Sequence, residues 1–289
     1  MANPGIPFNA TYLSSLQVSA AEVAAKVAQA KAAAAGQAVT KQGILQAIAM
    51  LDLTTLQGDD TPARVTTLLK KAQSPLAGNA IKVAAVCLYQ PFVAQALAVL
   101  NKTNLGVATV AGGFPAGQML LDVKCADIEQ SVQLGATEID AVINRTNPLT
   151  GDWEALYAEV RAFKVACGSA KLKVIIATGE LADDTVIAKT SWVCMMAGAD
   201  FIKTSTGLEK VNATLEAGVV MMDAIGAYEK QTGIAVGFKP AGGIRTTAQA
   251  MEWLALLRNT LGEAWMNSSR FRIGASGLLD DLVTTYEKL

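Results

Sequence analysis

From about residue 45 onward the chain alternates between short apolar or β-branched runs and longer stretches of helical character. The apolar runs lie at Ile48–Leu53, Val83–Leu88, Gly106–Val110, Glu138–Ile143, Lys173–Ala177, Phe201–Thr204, Val236–Lys239 and Phe271–Gly274. Between them, Pro62–Gln73, Leu121–Leu134, Trp153–Cys167, Asp183–Ala197, Leu215–Gln231 and Thr247–Leu261 predict helices. Near-continuous apolar strands alternating with helices predict a parallel sheet covered on both faces. Eight such units predict closure into a single-domain α/β fold, the (β/α)8 or TIM barrel. An open doubly wound sheet is the alternative, but no G-x-G-x-x-G follows the first run.

Ahead of this rhythm, residues 1–15 read as irregular, with Pro4, Gly5 and Pro7. The Ala-rich stretch Ser19–Ala35, closed by Gly36, predicts a helix with Ser19 and Glu22 placed for a capping box. It is expected to cap the main body and take no part in chemistry. The chain thus divides into an N-terminal extension, 1–45, and a barrel, 46–289. The opening MANPGIPFNATYLSS lacks a basic region followed by an apolar core, so it does not read as a secretory signal. No apolar run of about 18 residues predicts a membrane span.

Composition narrows the chemistry. Hydrophobic residues make up 52% of the 289 and charged residues 17%. That is material for a large core and excludes a disordered chain. A formal charge of −1 and a pI near 5.6 argue against nucleic-acid and polybasic membrane partners. Histidine is absent, which excludes Ser-His-Asp triads, Cys-His dyads and His-based zinc sites. Acid–base work near neutral pH then falls to a shifted Lys, carboxyl, Cys or Tyr, or to water. Cys87, Cys125, Cys167 and Cys194 form no C-x-x-C pair, which fits a reduced, cytosolic setting and no metal site.

A barrel works at the C-terminal ends of its strands, and several runs carry polar residues there. These are Asp52, Cys87, Asp140, Thr178, Lys203 and Lys239, with Lys173 near the start of the fifth run. Charges embedded in apolar strands are costly unless paired. Structural salt bridges are one reading. For Lys203 and Lys239, on neighbouring strands, mutual repulsion lowering the pKa of one amine is the other. A lysine moved from about 10.4 to about 7 represents roughly 4–5 kcal/mol of differential stabilisation. A neutral amine attacks carbonyls and forms a Schiff base, and Asp140 could then move protons. Cys87 is either a buried core thiol or a thiol open to aldehydes. Ser205-Thr206-Gly207, Ala241-Gly242-Gly243 and Gly274-Ala275-Ser276-Gly277 follow strands six to eight. Barrels often bind phosphate at the last two of these loops, although ordinary βα turns would carry the same glycines.

LDLTTL (51–56), GATEIDAVINR (135–145), LKVIIATGEL (172–181), GADFIKTSTG (198–207), VNAT (211–214), GFKPAGGIR (237–245) and FRIGAS (271–276) together resemble deoxyribose-phosphate aldolase, a class I aldolase family. The resemblance runs from about Leu51 to Leu279. It implies a metal-free, cofactor-free (β/α)8 enzyme. Its reaction would be reversible cleavage of 2-deoxy-D-ribose 5-phosphate to D-glyceraldehyde 3-phosphate and acetaldehyde. Lys203 matches the Schiff-base lysine, Lys239 the lysine that lowers its pKa, and Asp140 the carboxylate of the proton relay. Asp52, Cys87, Lys173 and Thr178 match residues lining the family's site, with Lys173 paired to a carboxylate. Thr206 belongs to the matched KTSTG. Gly207, Gly242, Gly243, Gly274 and Ser276 match the phosphate cradle. Implied partners are small aldehydes and sugar phosphates, with self-association into a homo-oligomer such as a dimer.

Three positions depart from the pattern. Leu208 stands where the family usually has lysine, and Gly277 where it usually has Ser or Thr. Both weaken phosphate binding, by about 1.5–4 kcal/mol together, so a relaxed phosphate requirement is expected. Some relatives carry a terminal tyrosine that assists proton transfer; here Tyr286 reads as part of a final helix. The alternatives are another Schiff-base barrel of transaldolase type, a non-catalytic phosphosugar-binding barrel, and a flavin- or metal-dependent barrel, whose ligands the sequence lacks.

Overall fold

The computed structural model describes residues 2–101, 103–181 and 183–289. Eight strands form one parallel sheet in the order β7-β6-β5-β4-β3-β2-β1-β8. They are β1 (Leu51–Thr54), β2 (Ala85–Leu88), β3 (Gly106–Ala111), β4 (Glu138–Val142), β5 (Lys171–Ile175), β6 (Phe201–Lys203), β7 (Gly237–Lys239) and β8 (Ile273–Ala275). The circle closes between β7 and β8 through bridges Phe238–Phe271 and Ala241–Gly274. There the Phe238 N–H donates to the Arg270 carbonyl at 2.9 Å and the Arg272 N–H to the Phe238 carbonyl at 3.0 Å. This is the expected (β/α)8 barrel.

The helices are α1 (Ala10–Ser15), α2 (Ala20–Ala35), α3 (Lys41–Ala49), α4 (Pro62–Gln73), α5 (Val93–Val99), α6 (Leu121–Gln133), α7 (Thr146–Thr150), α8 (Trp153–Cys167), α9 (Asp184–Met196), α10 (Leu215–Thr232), α11 (Thr247–Leu261) and α12 (Leu278–Lys288). Thr61, Asp152, Asp183, Thr214 and Thr246 each accept a backbone N–H at a helix start, which satisfies donors the helix cannot. Tyr286 lies in α12 as expected.

Local readings differ in several places, three of them before residue 55. Residues 10–15 form α1, because the Asn9 side chain accepts the Tyr12 N–H and nucleates a turn. The first strand starts at Leu51, after the expected Ile48, because Ile44, Ala47 and Ile48 bury one face of α3. That helix therefore runs across residue 45. At α2, Ser19 accepts the Glu22 N–H at 3.4 Å, the first half of a capping box.

The N-terminal segment is tied to the barrel. Asn3 is buried and donates to the carbonyls of Met195 and Ala199, while its N–H reaches Asp200 at 2.7 Å. Helix α2 packs on α10 and α11, and Lys26 pairs with Asp223 at 2.6 Å. Inside the barrel, Gly237 leaves room for Phe201, whose ring stands 2.4 Å from where a Cβ would be.

Candidate active site

Parallel pairing sets register partners at one height and on one face. Asp140 pairs with Lys173, Ile175 with Lys203, and Lys203 with Lys239. On the other side Asp52 pairs with Ala85 and Gly274, and Cys87 with Ala108. Side chains two apart on a strand share a face, so Glu138 joins Asp140 and Lys171 joins Lys173. The barrel interior therefore gathers charge contributed by five strands.

The charged groups form one connected network. Lys203 Nζ donates to Asp140 Oδ2 at 2.7 Å. Lys239 Nζ donates to the same oxygen at 2.8 Å and to Asp52 Oδ2 at 2.6 Å. Lys173 Nζ reaches Asp140 Oδ1 at 3.0 Å, Asp52 Oδ2 at 3.2 Å and Glu138 Oε2 at 2.5 Å. Arg272, the residue just before β8, closes the network. Its guanidinium meets Asp52 Oδ1 at 2.5 Å and the Glu138 carboxylate at 2.9 and 3.2 Å. At the rim Lys171 adds a contact to Glu138 at 3.0 Å. Asp52, Asp140, Lys173 and Lys239 are fully buried, and Lys203 is 2% exposed.

Ionisation follows from this geometry. Burial alone would raise Asp140, but Lys173, Lys203 and Lys239 outweigh it and hold the carboxyl well below its usual range. Burial opposes Asp52 likewise, and Arg272, Lys173 and Lys239 hold it low. Glu138 is brought down to about 2 by Lys173 and Arg272 against the same opposition. Burial would lower Lys239, yet Asp140 and Asp52 raise it above its ordinary value. The expected repulsion between Lys203 and Lys239 is thus met by an intervening carboxylate, and Lys239 is a firmly charged member of the pair.

Above the network opens a cavity of about 230 Å³. Lys203, Thr206, Gly207, Gly242, Gly243, Gly274 and Ser276 all line it, as do Leu208 and Arg245. Asp52, Asp140, Lys173 and Lys239 lie beneath as supports. Cys87 is fully buried with Leu56, Ala108 and Val110, its Sγ 3.9 Å from Asp140 Oδ2. Burial, then the Asp140 charge, pushes its thiol pKa up, so the core-thiol reading fits. The Thr178 N–H donates to the carbonyl of Thr204, the residue after Lys203, at 2.8 Å. Thr178 borders a neighbouring cavity with Gly179 and Asn212, and its Oγ1 is buried without a hydrogen-bond partner among the described residues.

The glycines divide into kinds. Gly274 makes room for a lysine: a Cβ there would stand 3.0 Å from Lys239 Cε and 2.9 Å from Ala241 Cβ. Gly242 has φ +82° and abuts Asn212, whereas Gly207 and Gly243 have positive φ and open space beside them. In the β6 loop the Glu209 carboxylate accepts the N–H groups of Thr206 and Gly207 at 2.9–3.1 Å. The Leu208 N–H goes to Thr206 Oγ1. Those donors are satisfied within the loop, which leaves the β7 and β8 loops and Arg245 facing the cavity.

Glu138, Arg272, Arg245 and Glu209 were missed by sequence reasoning. Glu138 and Arg272 had a signal: each is a charged residue at strand spacing from Asp140 or Gly274. Glu209 had none, because its role depends on how the loop folds back.

Among known proteins, the model of the DeoC/LacD family aldolases matches residues 46–279. The chain is 50% identical to the deoxyribose-phosphate aldolase of Mus musculus over 251 residues and 48% to that of Homo sapiens. Each match covers 83% of this chain and 79% of the relative. Among solved structures, the tetrameric deoxyribose phosphate aldolase of Aeropyrum pernix aligns with a TM-score of 0.67 at 24% identity, covering 91% of this chain and 98% of that one. An aldolase named QR15 aligns at 0.69 and 24%, covering 84% and 98%. At this identity the two share the fold. Family match, relatives and barrel agree, and the chain belongs to the DeoC/LacD family of aldolases.

Proposed function

We propose that the chain is a class I aldolase that reversibly cleaves 2-deoxy-D-ribose 5-phosphate, with Lys203 as the Schiff-base nucleophile. The observation that carries this reading is Lys203 itself, the lysine that both lines the cavity and touches Asp140 at 2.7 Å. The half-identical relatives that are deoxyribose-phosphate aldolases support the substrate.

The chemistry follows. The neutral Lys203 amine attacks the C1 carbonyl of the open-chain sugar, and the carbonyl oxygen leaves as water after two protonations. The resulting iminium draws electrons from the C2–C3 bond as the C3 hydroxyl loses its proton. Glyceraldehyde 3-phosphate departs and an enamine remains. Protonation at C2 and hydrolysis of the iminium return the lysine and release acetaldehyde. In this reading Asp140 passes these protons, and its contact with the nucleophile's nitrogen at 2.7 Å supports that role. Lys239 and Lys173 hold it as a carboxylate. The phosphate faces Gly243, Ser276 and Arg245, whose guanidinium supplies a cation where Leu208 does not. Relaxed discrimination against unphosphorylated sugars follows from Leu208, Gly277 and the self-satisfied β6 loop. Self-association and a cytoplasmic location complete the reading, and light scattering and cell fractionation test them.

Borohydride reduction in the presence of acetaldehyde, followed by peptide mass spectrometry, tests the central claim. The label is expected on Lys203 and is expected to vanish in Lys203→Met together with aldol cleavage. A label on another residue, or none, overturns it.

A further inference from the structure

Arg272 and Glu138 lie outside the residues assigned a role above, at the floor of the barrel below the cavity. They are nevertheless wired to the nucleophile. Arg272, Asp52, Lys239, Asp140 and Lys203 form a chain of alternating charge with successive contacts of 2.5, 2.6, 2.8 and 2.7 Å. Both ends are cations. Two side branches, Lys173 and Glu138, touch the chain and each other. The buried network therefore holds four cations against three carboxylates.

One positive charge is in excess, and the four cations differ in how easily each releases a proton. A guanidinium does not release its proton in a protein. Lys173 is held by three carboxylates and Lys239 by two. Among the described residues, the carboxylate that Lys203 touches is Asp140 alone, and Lys203 opens on the cavity. Proton loss there leaves three cations with three carboxylates.

We infer that Arg272 is a positioning residue for catalysis: it is the permanent charge that puts the cations one in excess of the carboxylates, and Glu138 is the counter-charge that limits it, so the pair sets the pH at which Lys203 can react. The inference rests on the Schiff-base reading of Lys203. The groups facing the pair are Asp52 from β1, Lys171 and Lys173 from β5, and the Phe201 ring from β6, 5.8 Å from the guanidinium carbon. Cys87 from β2 faces Asp140. Only Lys171 among these reaches solvent appreciably, with a side chain 36% exposed, so the others are weakly screened.

Counting charges predicts opposite signs. Arg272→Met leaves three cations and three carboxylates, so the amine must surrender its proton from a balanced network. Glu138→Gln leaves four against two and pushes the proton off. The double variant leaves three against two and restores an excess of one. The measurement is the rate of borohydride trapping by acetaldehyde against pH, read at the acid limb, where trapping falls as pH is lowered. Arg272→Met is expected to move that limb up by about one pH unit, a roughly tenfold slower rate on the limb. Glu138→Gln should move it down, the double variant should return it close to wild type, and Arg272→Lys should stay near wild type. A purely structural role cannot produce shifts of opposite sign. Should Arg272→Met not fold, Glu138→Gln and the double variant still decide the sign. Limbs that stay in place, or move in one direction in both single variants, overturn the inference. Absence of any label on Lys203 in the wild type instead overturns the Schiff-base reading beneath it.

Discussion

Lys203 and Lys239 share a single acceptor oxygen, Asp140 Oδ2, at 2.7 and 2.8 Å. Two adjacent ammonium groups in a dry barrel are tolerable only around such an anion. The arrangement separates their roles: Lys239 has Asp52 as a second partner and stays charged, while Lys203 has the cavity on its other side. Lys239→Leu is therefore expected to slow cleavage by about 10²-fold or more and to move its pH profile. A variant with an unaltered pH–rate curve refutes this division of labour.

Stability should depend on pH through the same network. Glu138 has its pKa lowered from 4.5 to about 2. A depressed carboxyl stabilises the fold above its unfolded value and loses that contribution as pH falls through the folded one. The window is pH 4.5 down to about 2. Lys173 and Lys239 have raised values, so their contribution is complete below about 10.5 and fades only as pH climbs through their folded values. The thermal midpoint of wild type is expected to drop more steeply than that of Glu138→Gln across the acid window. Parallel curves would remove Glu138 from the account.

Removing a buried charge without its partner is harsher than removing both. Arg272→Met strands Asp52 Oδ1 and leaves Glu138 with Lys173 and Lys171 alone, and should destabilise by about 3–5 kcal/mol. Combining it with Glu138→Gln should recover part of that loss. Denaturant titration of the two variants measures the difference, and equal stabilities would show that the pair is not coupled.

Gly274→Ala tests whether this glycine serves the lysine more than the ligand. The added methyl meets Lys239 Cε and Ala241 Cβ at 3.0 and 2.9 Å. A cost of about 1–3 kcal/mol and a fall in kcat exceeding the rise in KM are expected. A pure KM effect would return Gly274 to the phosphate site.

Phosphate preference should respond to two departures. Leu208 is 52% exposed and lines the cavity, so Leu208→Lys adds a cation without disturbing the core. With Gly277→Ser it should raise the kcat/KM ratio of 2-deoxyribose 5-phosphate to 2-deoxyribose by about tenfold or more. A ratio that stays at the wild-type value sinks the proposal of relaxed specificity.

Much of the site was legible because polar residues inside apolar strands announce themselves. Asp52, Asp140, Lys173, Lys203 and Lys239 break runs that are otherwise apolar, and all five meet in one network. Arg272 carried a similar mark, but small residues follow it and drew attention to the loop. Thr178 carries no such mark in the sequence; it follows Ala177, at φ 54°, and borders a neighbouring cavity while its N–H meets the Thr204 carbonyl.

The chain by itself determined the alternation of strand and helix, hence the barrel, because period and run length depend only on local order. It also determined which residue types were available, since a chain without histidine must use amines and carboxylates. Tertiary structure decided which charges meet. Asp52 and Arg272 are 220 residues apart in sequence and become neighbours only when β8 closes on β1. Pairing across that distance is set by register and closure, and no local pattern encodes it.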